Sequence, residues 1–389
     1  MNHLKRNINL FLWQRLFNDF LLIAPVLIPF YQYNHLGAFA FYLSQSTYAL
    51  TVFIMEVPSG YLADVIGRRK TLVFGALLFP LGIALYALSS SLPMFLIAEF
   101  LLAVANSMRS GSDSAMLFDT LSALSRSNEY ASVEGKGHQF ARMGTGIASI
   151  SGGVLASISL RLPFWANLIV GVATIPLAFA LIEPDRLKAR GERPLHDILS
   201  ISKNSMKNPH IRPFILYIGL IGSTSIISLW AYFLYYQSLS IPLAFFGILF
   251  AAFQFSAAFG ARYSSRLASK IGPFRVLQLS LLIFPILLLV GLIKSRFLLI
   301  AIMIHPFLWN TSIPVLLEQI NQKTSAQVRA TVLSLANMGV SFGYVLIGPF
   351  FGMLSDRLPL SLCMILLSLM FLLASGLLLY PIRLHWSLE

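Results

Sequence analysis

Charged residues are scarce in this chain. Only 11% of its 389 residues are Asp, Glu, Lys or Arg, whereas 57% are apolar. A water-soluble protein of this size needs more polar surface, so the composition predicts an all-α membrane protein whose solvent is the bilayer. A helix that spans the bilayer needs about 20 mostly apolar residues. Twelve spans are predicted, near residues 9–31, 38–62, 71–89, 93–118, 137–159, 162–182, 212–236, 242–264, 275–293, 297–319, 330–354 and 359–381.

Cysteine and the sequence patterns of several enzyme classes are also missing. Cys363 is the single cysteine, which excludes an internal disulfide and a paired-thiol metal site. The phosphate-binding pattern G-x-x-x-x-G-K-[ST] and the zinc pattern H-E-x-x-H do not occur. We therefore expect no metal, no cofactor, no ATP drive and no enzymatic activity.

Acidic residues are outnumbered by basic ones, and the net charge is +13. Nucleic-acid binding would require the basic residues to gather on one soluble face. Instead they fall on alternate loops, and the loops predicted to lie outside carry only Arg161, Lys294, Arg296 and Arg357. Cytoplasmic loops are enriched in Lys and Arg. The pattern therefore predicts cytoplasmic termini and excludes nucleic acid as a partner.

One long polar stretch divides the chain into two halves. We expect a six-helix half over 1–182, a cytoplasmic linker over 183–211 and a second six-helix half over 212–389. A repeat supports this division, because Gly60-Tyr-Leu-Ala-Asp-Val-Ile-Gly-Arg-Arg-Lys-Thr-Leu72 aligns without gaps on Ser265-Arg-Leu-Ala-Ser-Lys-Ile-Gly-Pro-Phe-Arg-Val-Leu277. Internal repeats of this kind are typical of secondary transporters, whose substrate site lies near the middle of the membrane.

The first copy of this repeat resembles the signature loop of the major facilitator superfamily, G-x-L-A-D-x-x-G-R-R/K-x. The matching residues are Gly60, Leu62, Ala63, Asp64, Gly67, Arg68, Arg69 and Lys70. The segments Glu56-Val-Pro-Ser-Gly60, Ser110-Gly-Ser-Asp-Ser-Ala115 and Phe118-Asp-Thr-Leu121 further resemble bacterial transporters that are described as efflux proteins. The resemblance implies a monomer in the bacterial inner membrane that moves a small molecule by alternating access. It also implies that Asp64 holds the two halves together through a contact near Arg329 to Val332.

Two departures from the family pattern restrict the subclass. Helix four of many members begins with Arg where this chain has Glu99. The drug-antiporter signature of helix five is G-P-x-x-G-G, whereas Ala148-Ser-Ile-Ser-Gly-Gly153 keeps the glycines and lacks the proline. The superfamily assignment does not depend on either position, but the antiporter subclass does.

Ionisable residues within predicted spans are the best functional leads, because each costs about 2.5 to 3.5 kcal/mol to insert. In span four, Glu99, Asn106, Arg109 and Asp113 lie within about 80° of one another on a helix. Span one carries Arg15, Asn18 and Asp19, and there Arg15 and Asp19 can neutralise each other. We expect Asp19 to be the proton-coupling carboxylate and Glu99 to be the second candidate. The alternative is a static network of Arg15, Asp19, Arg109 and Asp113. Near cytoplasmic helix ends, Glu56, Asp119, Glu134, Arg142 and Glu318 are read as gate residues.

The second half offers aromatic and hydroxyl side chains instead of charges. Thr224, Ser228, Tyr232 and Tyr235 share one face of span seven, and His305, Trp309 and Ser312 share one face of span ten. Such faces suit an amphiphilic or cationic solute. Alternatively, Tyr235, Tyr236 and Trp230 belong to an interfacial aromatic belt. His305 either titrates or binds a backbone carbonyl freed by Pro306 or Pro314.

The sequence therefore predicts a secondary transporter coupled to protons, or to sodium, that exports an amphiphilic or cationic organic compound. Import of a siderophore or a nutrient by symport is the alternative within this class. A membrane sensor or interaction protein that transports nothing is the alternative from another class.

Overall fold

The regular structure of the described residues is entirely helical, as predicted. The computed structural model describes residues 2–184, 194–325 and 328–386, and within them it contains sixteen α-helices and three short 3-10 helices. The α-helices are α1 Asn2–Asn18, α2 Leu27–Tyr33, α3 Ala38–Ile66, α4 Arg68–Leu88, α5 Leu92–Arg109, α6 Ser112–Ala123, α7 Tyr130–Ile158, α8 Leu162–Phe179, α9 Pro194–Lys207, α10 Arg212–Ser238, α11 Leu243–Ile271, α12 Pro273–Leu279, α13 Ile283–Leu292, α14 Leu298–Gln322, α15 Arg329–Arg357 and α16 Leu360–Trp386. The 3-10 helices are Ala24–Val26, Ser127–Glu129 and Ser280–Leu282.

In the described part of the chain, ten helical segments are long and apolar enough to cross a membrane. They account for ten of the twelve predicted spans. The predicted span 9–31 is interrupted, because α1 ends at Asn18 and helical structure resumes only at Ala24. The predicted span 137–159 corresponds to α7, which also carries Glu134, Lys136 and Arg142.

A second interruption divides the predicted span four. Helix α5 ends at Arg109, Gly111 has a φ of +75°, and α6 begins at Ser112. A positive φ is strained for residues with a Cβ and is readily adopted by glycine. The apolar segment that is long enough to cross the membrane nevertheless runs without a break from Leu92 to Ala123.

The chain forms two compact units. The first comprises the described residues within Met1–Leu36, Thr47–Glu192 and Pro242–Ala251, and the second those within Gly37–Ser46, Arg193–Ile241 and Ala252–Glu389. The predicted linker 183–211 contains helix α9, whereas its residues 185–193 lie outside the described residues.

The predicted repeat has a counterpart in the backbone. Helices α3 and α11 both have 29 residues, and each ends one residue before a glycine at the start of the next helix. Gly67 has a φ of +110° and Gly272 a φ of +92°, and ψ is 142° at both. These are the paired glycines of the sequence alignment. A side chain at either position would strain the turn.

Candidate functional site

In the first unit, a buried carboxylate lies among aromatic rings. Glu99 of α5 is only 4% exposed, and the hydroxyl of Tyr86 of α4 donates to its Oε1 at 2.5 Å. The hydroxyl of Tyr31 lies 2.9 Å from that of Tyr86, so Tyr31 donates to Tyr86 when Tyr86 donates to Glu99. The ring of Phe95 packs against both tyrosines, with centroids 4.9 and 5.0 Å away. The sequence indicated Glu99 but neither tyrosine, because these lie on other helices.

Arg15 of α1 is the centre of a second polar group. Its Nη2 donates to Glu134 Oε1 and to Ser114 Oγ, both at 2.8 Å, and its Nε lies 3.3 Å from Asp113 Oδ2. Glu134 also accepts from Ser114 Oγ at 2.9 Å. The predicted neutralisation of Arg15 by Asp19 is therefore wrong. Helix α1 ends at Asn18, so Asp19 does not follow Arg15 by a full helical turn.

Asp19 instead pairs with Arg109, at 3.8 Å between the carboxylate and the guanidinium. Asn106 Oδ1 accepts from Arg109 at 2.8 Å, which holds the guanidinium at the end of α5. The Asp19 side chain is 45% exposed, while neighbouring Asn18 is half-buried. The four residues predicted to share one face of span four therefore lie on two helices, with Glu99, Asn106 and Arg109 on α5 and Asp113 on α6. Three ion pairs therefore contain the four residues of the expected static network and Glu134 as an additional member.

The turn between α3 and α4, which contains the signature loop, is held by Glu183, a residue that the sequence did not single out. Both carboxylate oxygens of Glu183 accept backbone N–H groups at the start of α4, from Arg68 at 2.9 Å and from Arg69 at 2.6 Å. The Arg68 guanidinium pairs with Asp119 and donates to the carbonyl of Ala115. The first N–H groups of a helix have no partner within the helix. Glu183 supplies that partner, and the N-terminus of α4 favours its negative charge.

The remaining predicted gate residues are half-buried or exposed. Asp64 is half-buried near the end of α3, Gly60 is exposed one turn earlier, and Lys70 is exposed in the first turn of α4. Glu56 and Arg142 are exposed on α3 and α7. The latch between Asp64 and residues 329–332 stays a prediction.

In the second unit, His305 joins α14 to α10. Its Nδ1 lies 2.5 Å from the hydroxyl of Tyr232 and its Nε2 lies 3.0 Å from Ser225 Oγ, and the ring is fully buried. One nitrogen of a neutral imidazole donates and the other accepts, so two hydroxyls satisfy both. The predicted bond to a carbonyl freed by proline is wrong, because the hydroxyls of α10 occupy both ring nitrogens.

The other predicted cavity residues of the second unit bond mainly within their own helices. Ser228 Oγ donates to the carbonyl of Thr224 at 2.7 Å, and Ser312 Oγ donates to that of Leu308 at 3.0 Å. Within the described residues, Thr224 Oγ1 is buried with no hydrogen-bond partner. Trp309 is half-buried, and its ring lies against Gly222 of α10.

The three aromatic residues offered as an interfacial belt are all buried. The hydroxyl of Tyr235 donates to the carbonyls of Ile293 and Ser295, at 2.8 and 3.0 Å, and thereby fixes the loop after α13. Trp230 and Tyr236 are 8% and 2% exposed. The belt interpretation is therefore wrong for these residues, which pack inside the unit.

The two units offer different chemistry. The first contains carboxylates, which can take up protons or bind cations, together with guanidinium groups. The second contains hydroxyls and a bridging imidazole. Within the described residues, no group of three or more His, Cys, Asp or Glu is placed to hold a metal ion.

Comparison with known proteins places this geometry in a family. The family model described as Major Facilitator Superfamily matches residues 16–346. A relative named "Multidrug resistance protein 2", from Bacillus subtilis (strain 168), is 23% identical over 285 residues, which cover 71% of this chain and 70% of the relative.

Solved structures share the fold at low sequence identity. A bacterial homolog of the human lysosomal transporter Spinster has a TM-score of 0.80 at 16% identity and covers 99% of this chain and 98% of its own. The nucleoside transporter NupG has a TM-score of 0.78 at 13% identity and covers 99% of both chains. The POT family transporter PepTSo has a TM-score of 0.74 at 12% identity and also covers 99% of both. These likenesses confirm the predicted fold and carry no substrate with them.

Proposed function

Because this chain belongs to the major facilitator superfamily, and is thus a multi-pass secondary transporter, we propose that it exports an amphiphilic or cationic organic compound in exchange for protons. The observation that carries the proposal is the burial of Glu99, 4% exposed, under the Tyr86 hydroxyl within a membrane-spanning helix. The named activity of the Bacillus subtilis relative favours drug-like substrates.

Glu99 is suited to couple two ligands because its charge is costly where it lies. A charged carboxylate at the centre of a membrane helix costs about 2.5 to 3.5 kcal/mol. Either a proton or an organic cation removes that cost, and the two cannot do so together. A protonated Glu99 would donate to Tyr86, whose own proton would then turn towards Tyr31. The tyrosine pair therefore accommodates both protonation states without a rearrangement of the backbone.

The aromatic surroundings of Glu99 suit the same class of substrate. Tyr31, Tyr86 and Phe95 are buried in this conformation, and a conformation that opens the cluster would expose ring faces that attract cations, with about 0.5 to 2 kcal/mol for each well-placed contact. The driving force is sufficient, because a charge that crosses 100 mV gains about 2.3 kcal/mol. A pH difference adds about 1.4 kcal/mol per unit.

Asp19 was the first sequence-based candidate for the coupling carboxylate, and burial now favours Glu99. The Asp19 side chain is 45% exposed and pairs with Arg109 at 3.8 Å. A carboxylate that keeps much of its hydration carries its charge at a lower cost than the buried Glu99 does. Asp113 and Glu134 are each held by Arg15, and we assign them a structural role.

The test is proton-driven transport of a lipophilic cation, such as tetraphenylphosphonium, in proteoliposomes with an imposed pH gradient. Glu99→Gln is expected to lower the rate of uphill transport at least tenfold, while downhill exchange of the cation stays measurable. Glu129→Gln is the matched control, because the Glu129 side chain is 40% exposed and pairs with neighbouring Arg126, and it should transport like the native protein. Loss of uphill transport in Asp19→Asn but not in Glu99→Gln would reverse the assignment.

The same assay tests the remaining alternatives. The absence of the antiporter proline from residues 148–153 favours a symporter, which would accumulate a siderophore or a nutrient when the proton gradient points inward. A response to a sodium gradient at constant pH would replace the proton as coupling ion. We further propose that the protein works as a monomer in the bacterial inner membrane, with cytoplasmic termini, as the distribution of basic residues favours.

A further inference from the structure

An open groove of about 230 Å³ lies on the outside of the first unit, where α4 begins and α8 ends. It is lined by Arg69, Lys70, Val73, Phe74, Leu77 and Phe179. Of the polar residues described above, Arg69 and Lys70 at the start of α4 line it. Pockets that hold a whole drug-sized ligand measure about 300 to 1,000 Å³, so the groove fits part of a long molecule.

The groove is basic at one end and apolar along its length. Lys70, Val73, Phe74 and Leu77 follow one another on a single face of α4, since residues three and four apart are neighbours on a helix. Phe74, Leu77 and Phe179 are 48%, 40% and 51% exposed. Because α4 is a membrane-spanning helix, lipid acyl chains are the natural contact for these exposed apolar side chains.

The basic end has unused capacity for an anion. Arg69 Nη2 donates to the carbonyl of Phe179 at 2.8 Å, but its Nε is buried with no acceptor among the described residues. In that part of the chain no carboxylate forms an ion pair with Arg69 or Lys70. The carboxylate of Glu183 accepts the backbone N–H groups of Arg68 and Arg69.

We propose that this groove binds an anionic glycerophospholipid, with the phosphate between Arg69 and Lys70 and one acyl chain along Val73, Phe74 and Leu77. Arg donates to phosphate through several N–H groups, and Lys adds a point charge. A zwitterionic lipid would bring an ammonium group to the same basic end and lose part of the attraction. The repeat provides an internal contrast, because Phe274 and Arg275 occupy the aligned positions and Phe274 packs against Trp386, with centroids 5.7 Å apart.

The experiment is a titration of the detergent-purified protein with phosphatidylglycerol or phosphatidylethanolamine, followed by native mass spectrometry. Two basic residues near a membrane surface predict that Arg69→Gln/Lys70→Gln binds the first phosphatidylglycerol about 30-fold more weakly. Phosphatidylethanolamine should bind with little change. Leu77→Trp keeps both charges but fills the groove, and it should weaken phosphatidylglycerol binding at least fivefold. Arg275→Gln is the matched control and should stay within twofold of the native protein.

Several results would overturn the assignment. One is that Arg69→Gln/Lys70→Gln or Leu77→Trp binds phosphatidylglycerol with the affinity of the native protein. Another is that Arg275→Gln loses as much phosphatidylglycerol affinity as the double variant does. Competition by inorganic phosphate as strong as that by the lipid would show a phosphate site instead. Where the double variant is not monodisperse, Lys70→Gln replaces it, because Lys70 is exposed and about a fivefold loss is expected from one charge. Native affinity in that variant would equally refute the proposal.

Discussion

Replacement of Arg15 by Gln tests whether the polar centre of the first unit holds its helices together. The native guanidinium lies 2.8 Å from Glu134 Oε1 and 3.3 Å from Asp113 Oδ2. The side chains of Asp113 and Glu134 are 8% and 16% exposed. The substitution therefore leaves two poorly hydrated carboxylates next to each other without their cation.

The expected loss of stability is large for a single substitution. Removal of one partner from a buried ion pair costs about 3 to 5 kcal/mol. Arg15 is itself 21% exposed, so residual hydration places the expected value near the lower limit, about 3 kcal/mol. For a unit of this size that corresponds to a melting temperature lower by roughly 6 to 12 °C, measured by unfolding of the purified protein in detergent.

Two control variants separate this explanation from general damage. Arg15→Gln combined with Asp113→Asn and Glu134→Gln removes the stranded charges and should recover at least half of the lost stability. Asp19→Asn removes a carboxylate that is half exposed and should cost less than about 1 kcal/mol. A loss below about 1 kcal/mol in Arg15→Gln, or no recovery in the triple variant, would refute the reasoning.

Three further predictions concern hydrogen bonds to single side chains. Glu183→Ala should lower the free energy of unfolding by about 1 to 2 kcal/mol, because two N–H groups of α4 lose their acceptor. Glu183→Gln should lower it by about half as much, and equal stability of the two variants in thermal unfolding would contradict this prediction. Tyr232→Phe should cost about 0.6 to 1.7 kcal/mol, because His305 Nδ1 loses its partner, and an unchanged melting temperature would contradict that bond. Asp356 accepts backbone N–H groups of Ala38 and Phe39 at 2.7 and 2.9 Å. Asp356→Ala should therefore accelerate hydrogen exchange in the first turn of α3, whereas exchange there like that of the native protein would show that the cap is dispensable.

The sequence was sufficient for the features that depend on local pattern. The alignment of residues 60–72 with 265–277 paired Gly67 with Gly272, and both have a positive φ of about the same size. Ten of the twelve predicted spans followed from hydropathy, because a helix in lipid must satisfy its own backbone groups. Both features depend on neighbours in the chain, which a single sequence displays.

The partners of the charged side chains could not be derived in the same way. A helical-spacing argument paired Arg15 with Asp19, but it cannot detect that α1 ends at Asn18. The partner that Arg15 does find, Glu134, is 119 residues away. Only the fold brings these residues together, so the pairing depends on tertiary structure.

Glu183 illustrates a signal that was present but not used. In the second copy of the repeat, Pro273 aligns with Arg68 and begins helix α12. Proline has no N–H group and is favoured at the first position of a helix. The first copy has Arg there, so its helix presents one more N–H group that needs an acceptor. Comparison of the two copies could therefore have predicted an acidic residue near the start of α4.

The two copies thus share a backbone turn but differ in the groups around it, and this difference bears on where coupling resides. In the first unit, both guanidinium groups are already paired with carboxylates, Arg15 with Asp113 and Glu134 and Arg109 with Asp19. Glu99 is held instead by a neutral hydroxyl, which can bond to it in either protonation state. In the second unit, His305 is fixed by two hydroxyls, and protonation would require one of them to give up its role as donor. Hydroxyl groups reorient in both cases, but a proton on Glu99 removes a buried charge, whereas a proton on His305 would create one. This difference supports the proposal that coupling resides in the first unit.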